Sequence, residues 1–256
     1  MCFDLDSHPP ISPIAGGSLD QARITLTADD GNQFLAFRAR AAEPTGAGIV
    51  ILPDVRGLHP YYEELALRFA ECGVDALAID YFGRTAGIDT PRDDAFEFMS
   101  HVERTTSAGV SADVRAAAAD VRSGDGRSVR SLFTIGFCFG GRLAFVTATL
   151  GLGLAGAIGF YGSPAGGRPD GSPAPISVAT SIEGAVLGIF GGADRSIAPA
   201  IIAEFDVALA AAGVDHRLIT YPGAPHSFFD RKAAEFAEAS AAAWAEVLEF
   251  VGARTV

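Results

Sequence analysis

The chain has 256 residues, with 19 Lys plus Arg against 31 Asp plus Glu, giving a formal net charge of −12. Hydrophobic residues make up 49% and charged residues 20%, which argues against disorder, because disordered chains lack the apolar surface that offsets ordering entropy. An acidic chain without a basic block argues against nucleic acid as a partner, since phosphate binding rests on clustered Lys and Arg, and an anionic membrane surface is disfavoured on the same ground.

Residues 1–19 carry Asp4 and Asp6, no Lys or Arg, and no continuous apolar run. They read as an N-terminal arm rather than a secretory leader, so a cytoplasmic protein is expected. Residues 20–256 read as one domain, a size at which a single core buries most of the chain. Ile24 and Leu26, then Phe34, Ala36 and Phe37, flank Asp29-Asp30-Gly31-Asn32, and this pattern predicts an antiparallel hairpin around a tight turn. After the Pro44-Thr45-Gly46 break, short apolar runs at 48–52, 74–79, 131–137, 155–160, 185–190 and 216–221 predict strands. Between and after them, apolar residues three and four apart predict helices at 61–72, 93–104, 111–123, 140–150, 198–212 and 232–252. Gly73 and Gly213 sit where helix C-caps fall. This alternation is the signature of an α/β fold with a mostly parallel, doubly wound sheet, here opened by the hairpin. The Pro/Gly/Ser-rich stretch 162–175 is a loop suited to bordering a site. The weakly polar stretch 143–162 is broken by glycines and predicts no membrane span. Cys2, Cys72 and Cys138 form no disulfide framework or CxxC spacing, and the scattered histidines form no metal site.

Chemistry concentrates at Ser131-Leu-Phe-Thr-Ile-Gly-Phe-Cys138-Phe-Gly-Gly-Arg142, a strand running into a helix with Gly at 136, 140 and 141. This is the nucleophile-elbow pattern G-x-S-x-G with Cys138 in the Ser place: small residues permit the sharp turn that pushes the side chain out above the sheet edge. The helix N-terminus favours a thiolate, and the Phe139 N–H faces the place where an oxyanion would form. A buried core cysteine at a Gly-rich strand end is the competing reading. A nucleophile needs a base and an orienting acid on later loops. Asp194 follows the apolar run 185–190 and His226 follows 216–221, so nucleophile, acid and base stand in hydrolase order. Each alone has a plainer reading, Asp194 as a turn or helix-cap residue and His226 as a surface loop histidine.

With Gly136-Phe-Cys-Phe-Gly-Gly141, Gly191-Gly-Ala-Asp194 and Pro222-Gly-Ala-Pro-His-Ser-Phe228, supported by Leu52-Pro-Asp-Val-Arg-Gly57 and Ile79-Asp-Tyr-Phe-Gly-Arg84, the chain resembles the dienelactone hydrolase family of the α/β-hydrolase fold. The resemblance implies a single-domain α/β-hydrolase fold, a triad of Cys138, Asp194 and His226, and an oxyanion hole from the backbone N–H groups of Val55 and Phe139. It places Asp54 where the family carries a Glu that touches the resting thiol; a turn role for Asp54 is the alternative. Arg84 matches the first of two arginines that hold a substrate carboxylate. The second place is Asp230, with Arg231 one position later, and Tyr161 is a further candidate for contacting substrate or thiol. The implied activity is a cysteine-dependent hydrolase opening a small lactone or activated ester through a thioester, with no cofactor and a small molecule as partner. A monomer is expected. Non-catalytic ligand binding and a thiol redox sensor are the competing readings. His59, Tyr61 and Tyr62 are read as pocket lining or packing, and His101, beside Phe96, Phe98 and Met99, as core or lid packing.

Overall fold

The computed structural model describes residues 3–256 apart from 5, 94, 124–128 and 169. The hairpin forms from β1 (Ser18–Thr27) and β2 (Gln33–Ala41), with Thr27 opposite Gln33. Strand and helix then alternate: β3 (Ala47–Leu52), α1 (Pro60–Glu71), β4 (Val74–Ile79), α2 (Gly83–Ala86), α3 (Phe98–Arg104), α4 (Ser107–Ser123), β5 (Ser131–Phe137), α5 (Phe139–Thr147) and β6 (Leu154–Phe160). A 3-10 helix (Pro175–Ser181) precedes β7 (Ala185–Gly191), α6 (Pro199–Ala211), β8 (His216–Tyr221) and α7 (Ala237–Ala253). The sheet has eight strands in the order β1-β2-β4-β3-β5-β6-β7-β8. β3 to β8 run parallel, and β2 joins β4 antiparallel, so the hairpin extends one edge.

β3, β4, β5 and β7 are buried at every position, which is why their sequences are continuous apolar runs rather than alternations. β8, at the far edge, is half exposed. Gly73 ends α1 at φ 85°, where its lack of a Cβ lets the chain reverse into β4. No helix among the described residues is long and apolar enough to cross a membrane.

Three helix starts differ from the sequence pattern. The helix expected from 93 begins only at Phe98: Asp93 instead closes a turn, its side chain accepting the Ala95 N–H at 3.0 Å and its carbonyl the Phe96 N–H at 3.0 Å, next to Arg92, whose guanidinium pairs with fully buried Asp80 at 2.6 Å. α4 starts four residues before expectation, where Thr106 caps it: its Oγ1 accepts the Gly109 N–H at 3.1 Å and its carbonyl the Val110 N–H at 3.0 Å. The last helix starts at Ala237 rather than 232, behind a series of turns that follows Asp230. In the arm, the Ile14 N–H donates to Glu71 at 2.9 Å, His8 pairs with Glu64 at 2.9 Å, and Phe3 is buried.

Candidate active site

The chain passes from β3 to β4 on one side and then to β5 on the other, so the strand order reverses at β3, where open α/β sheets place their crevice. Leu52 is registered with Gly136 and Phe137 with Phe160, so the turns after β3, β5 and β6 emerge side by side. Pro53-Asp54-Val55, Cys138 and Tyr161 are therefore neighbours by sheet register. Gly191 is registered with Tyr221, which brings the loops carrying Asp194 and His226 together at the same edge. Those loops are tied by Gly192 N–H to the Tyr221 carbonyl at 2.8 Å and Ala193 N–H to the Ala224 carbonyl at 2.9 Å.

Cys138 has φ 53° and ψ −110°, a conformation that costs a non-glycine residue on the order of 1–3 kcal/mol. Backbone packing holds it there. A Cβ at Gly136 would lie 2.0 Å from the Gly140 carbonyl oxygen, and one at Gly140 would lie 2.1 Å from Leu52 O and 2.2 Å from Pro53 O. A Cβ at Gly141 would lie 2.5 Å from Phe160 O. The head of α5 is thereby pressed onto the ends of β3 and β6, with the Cys138 N–H donating to Phe160 O at 2.9 Å. Cys138 is partly exposed, and both Cys72 and Cys138 are free of disulfides; Cys2 lies outside the described residues. Phe139 opens α5, where first-turn N–H groups have no helical partner.

Across the crevice, His226 Nδ1 lies 2.6 Å from Asp194 Oδ2. The other carboxylate oxygen accepts from the Ser196 N–H at 2.8 Å and the Ser196 hydroxyl at 2.6 Å. Burial works to raise the Asp194 pKa, but the hydrogen bonds from His226 and Ser196 and the His226 charge outweigh it and hold the carboxyl below its ordinary value. An ionised Asp194 favours a proton on Nδ1, so Nε2 is the nitrogen that gains or loses the second proton. The Tyr161 ring packs against His226 at 4.9 Å between centroids, and the preceding Phe160 carbonyl accepts the Cys138 N–H at 2.9 Å, so Tyr161 lies beside both halves of the site. Burial, more than the surrounding charges, raises the Tyr161 phenol well above its usual range. Among the described residues, the non-glycine positions with positive φ are Cys138, Tyr161 and Ser227, the residue after His226. Backbone strain of this kind clusters at functional sites.

The charged candidates are arranged differently from the expectation. Asp54 is buried, and its oxygens accept from the Arg56 N–H at 2.9 Å, Nε at 3.0 Å and Nη2 at 3.0 Å, which closes a turn around Val55. Arg56 also pairs with Asp230, and its Nη1 donates to the Asp4 carbonyl at 3.0 Å and Ser7 Oγ at 3.1 Å, with the Phe3 ring 4.6 Å away. Burial pushes the Asp230 carboxyl up to about 6, opposed by Arg56 and Ser7 and reinforced by Asp54. Arg84 does not stand as a free carboxylate clamp: it donates to Asp113 at 2.9 and 2.8 Å and to Asp30 at 2.6 and 3.1 Å. The physical reason is Asp113, wholly buried on α4, which needs a counterion. Arg231 is exposed and lines an open cavity of about 310 Å³ together with Asp194, Ser196 and His226.

His59 is the N-cap of α1, Tyr61 donates its hydroxyl to the Phe229 carbonyl at 2.7 Å, and Tyr62 accepts the Asp54 N–H at 3.0 Å. His101 stacks on Phe96 at 4.8 Å and meets Thr85 Oγ1 at 2.9 Å. Ser196 has no part in the sequence reading, although the Asp194-x-Ser196 spacing carries a local turn signal. Arg56 and Ser227 lie within segments that carry the family resemblance, which assigns neither a role. Among the described residues, no group of three or more His, Cys, Asp or Glu is placed to hold a metal.

Residues 36–254 match the model of the dienelactone hydrolase family. The chain belongs to that family. A curated relative from Synechocystis, described as "Putative carboxymethylenebutenolidase", is 30% identical over 235 residues, covering 84% of this chain and 91% of its own. One of the same description from Salmonella typhimurium is 28% identical over 247 residues, covering 95% and 89%. The crystal structure of a "Putative Dienelactone Hydrolase" from Klebsiella pneumoniae superposes with a TM-score of 0.77 at 25% identity, covering 90% of this chain and 99% of its own. This dienelactone hydrolase family member has the α/β-hydrolase fold and is a hydrolase of ester or lactone bonds.

Proposed function

We propose that the protein is a cysteine-dependent hydrolase that opens a small lactone or activated ester through a thioester at Cys138, with Asp194 and His226 completing the triad. The observation that carries this reading is the Cys138 backbone, held at φ 53° at the head of a helix by glycines that leave no room for a Cβ. Such a turn serves to present a side chain, and a core cysteine has no need of it.

His226 Nε2 takes the Cys138 thiol proton and becomes imidazolium; the thiolate, favoured by the α5 N-terminus, attacks the carbonyl carbon, and the carbonyl electron pair moves onto oxygen. The N–H groups of Val55 and Phe139 receive that oxyanion. The adduct collapses by breaking the ring C–O bond, and the enol or alcohol oxygen takes a proton from the His226 imidazolium, remaining tethered to the acyl group. Water then attacks the thioester as His226 Nε2 takes its proton, and the sulfur departs as thiolate. Asp194 holds the imidazolium throughout. Because thiolate is a good leaving group, poorly activated esters and amides return to starting material, which confines the enzyme to lactones and esters with good leaving groups. An uncharged lactone suits the site better than a carboxylated one, since Arg84 and Arg56 are already paired and Asp230 adds a buried carboxyl.

The test is turnover of a carboxylated dienelactone, a neutral enol-lactone and a p-nitrophenyl ester by wild type and Cys138→Ala under reducing conditions. Turnover that vanishes in the variant, with the neutral lactone ahead of the anionic one, is the expected result. Equal binding of a panel member by both proteins without turnover would establish a ligand-binding protein instead.

A further inference from the structure

Two successive peptide groups lead from β3 to Val55. The Pro53 carbonyl accepts from the Tyr81 hydroxyl, and the Asp54 N–H donates to Tyr62 Oη at 3.0 Å. The Asp54 carbonyl accepts from the same Tyr81 hydroxyl at 2.7 Å and from the Gly57 N–H at 3.3 Å. Three of the four polar groups of these peptides are thus held from inside the protein. The fourth, the Val55 N–H, has no acceptor among the described residues. In a trans peptide the carbonyl and N–H point in opposite directions, so fixing Asp54 O fixes where the Val55 N–H points.

Tyr81 also touches the other side of the crevice. Its ring meets the Phe139 ring edge-on, with centroids 5.6 Å apart and an interplanar angle of 71°, and it is braced by Phe82 at 4.9 Å. Phe139 supplies the second N–H without an acceptor among the described residues. Tyr81 is 1% exposed. Burial, with added repulsion from the charges of Asp54, Asp80 and Cys138, raises the phenol well above its usual range, so the hydroxyl keeps the proton it shares between the two carbonyls.

We propose that Tyr81 is the positioning residue of the oxyanion hole, its hydroxyl aiming the Val55 N–H and its ring seating Phe139. The inference rests on the cysteine-hydrolase reading above. Tyr81 acts through these two backbone groups and does not touch the reacting atoms. It follows β4, between the strand and α2, and so links a sheet position outside the Cys, Asp and His loops to the chemistry.

The experiment compares wild type with Tyr81→Phe, which keeps the ring and removes only the hydroxyl, in three assays. The first is p-nitrophenyl acetate turnover. The second is affinity for a trifluoromethyl ketone, to which the thiolate adds reversibly, forming an S–C bond and an oxyanion that needs the hole. The third is alkylation of Cys138 by iodoacetamide, which forms an S–C bond, expels iodide and generates no oxyanion. In the variant, kcat should fall about 10- to 100-fold with KM little changed, and ketone affinity should fall by a similar factor. Alkylation should stay within about twofold, since it does not use the hole. Unchanged kcat and ketone affinity, or an equal loss in all three assays, would overturn the proposal. Should Tyr81→Phe fail to fold, Phe139→Leu tests the ring contact: lost ketone affinity with intact alkylation supports the proposal, and unchanged affinity overturns it. Cys138→Ala separates the two claims, because turnover surviving in it defeats the hydrolase reading, whereas an inactive Cys138→Ala beside a fully active Tyr81→Phe defeats only this inference.

Discussion

The elbow around Cys138 and the charge cluster around Arg56 border the same crevice and are built by opposite means. The elbow is backbone against backbone: Gly136, Gly140 and Gly141 let α5 sit on the carbonyls of β3 and β6, and no side-chain hydrogen bond caps it. The cluster is built on side chains, gathering Ser7, Asp54 and Asp230, with the Asp4 backbone carbonyl, from both ends of the chain around one buried guanidinium. A structure of the first kind has one geometry, insensitive to pH. One of the second kind places two carboxylates on a single guanidinium, so its charge and its contribution to stability change with pH.

The sharpest way to break the comparison is at the elbow. Cys138→Ala should lower kcat/KM by about 10⁵-fold or more in the p-nitrophenyl ester assay, with the fold intact by circular dichroism. Asp194→Asn should follow at about 10⁴-fold, because Asn sets the wrong imidazole tautomer while leaving the geometry in place. Ester turnover in that variant at more than a tenth of the wild-type rate would contradict the orienting role.

Outside the crevice, Arg84→Ala leaves Asp113 buried without its guanidinium and should destabilise by about 3 kcal/mol in urea unfolding. Its KM for a carboxylated lactone should stay at the wild-type value, whereas a raised KM would restore Arg84 as a substrate clamp. The smallest effect belongs to the cluster. The folded-state pKa of Asp230 is raised to about 6, so the folded protein binds that proton more tightly than the unfolded chain does. The contribution to stability is full below the ordinary carboxylate range and is lost as pH rises through about 6. Relative to Asp230→Asn, wild type should therefore lose about 2 kcal/mol between pH 4 and pH 7, read as a wild-type Tm that falls against that of the variant. Parallel Tm profiles for the two proteins would show that Asp230 does not titrate in this window.

The same contrast explains what could be read before the fold was known. Glycine spacing records a backbone constraint directly, so the elbow position was legible, as were the loops after β7 and β8 that carry Asp194 and His226. Strand identities were legible because burial on both faces leaves continuous apolar runs. Helix starts at 98 and 237 were not, since the turn closed by Asp93 and the turns after Asp230 override local periodicity. Arg84 looked available because its partners, Asp30 in the hairpin turn and Asp113 on α4, are distant in sequence. Arg56 has one near partner, Asp54, but Asp4, Ser7 and Asp230, which complete its cluster, are distant in sequence. Long-range ion pairing leaves no spacing to read.

The central claim is a covalent acyl group on Cys138. It is tested most directly by acid-quenching the enzyme during turnover of a p-nitrophenyl ester, in wild type and in His226→Ala, where deacylation lacks its base, and measuring intact mass followed by peptide mapping. The account predicts an acyl adduct on the peptide containing Cys138, more abundant in His226→Ala and absent in Cys138→Ala. Hydrolysis proceeding with no adduct, or with the adduct on another residue, would contradict it.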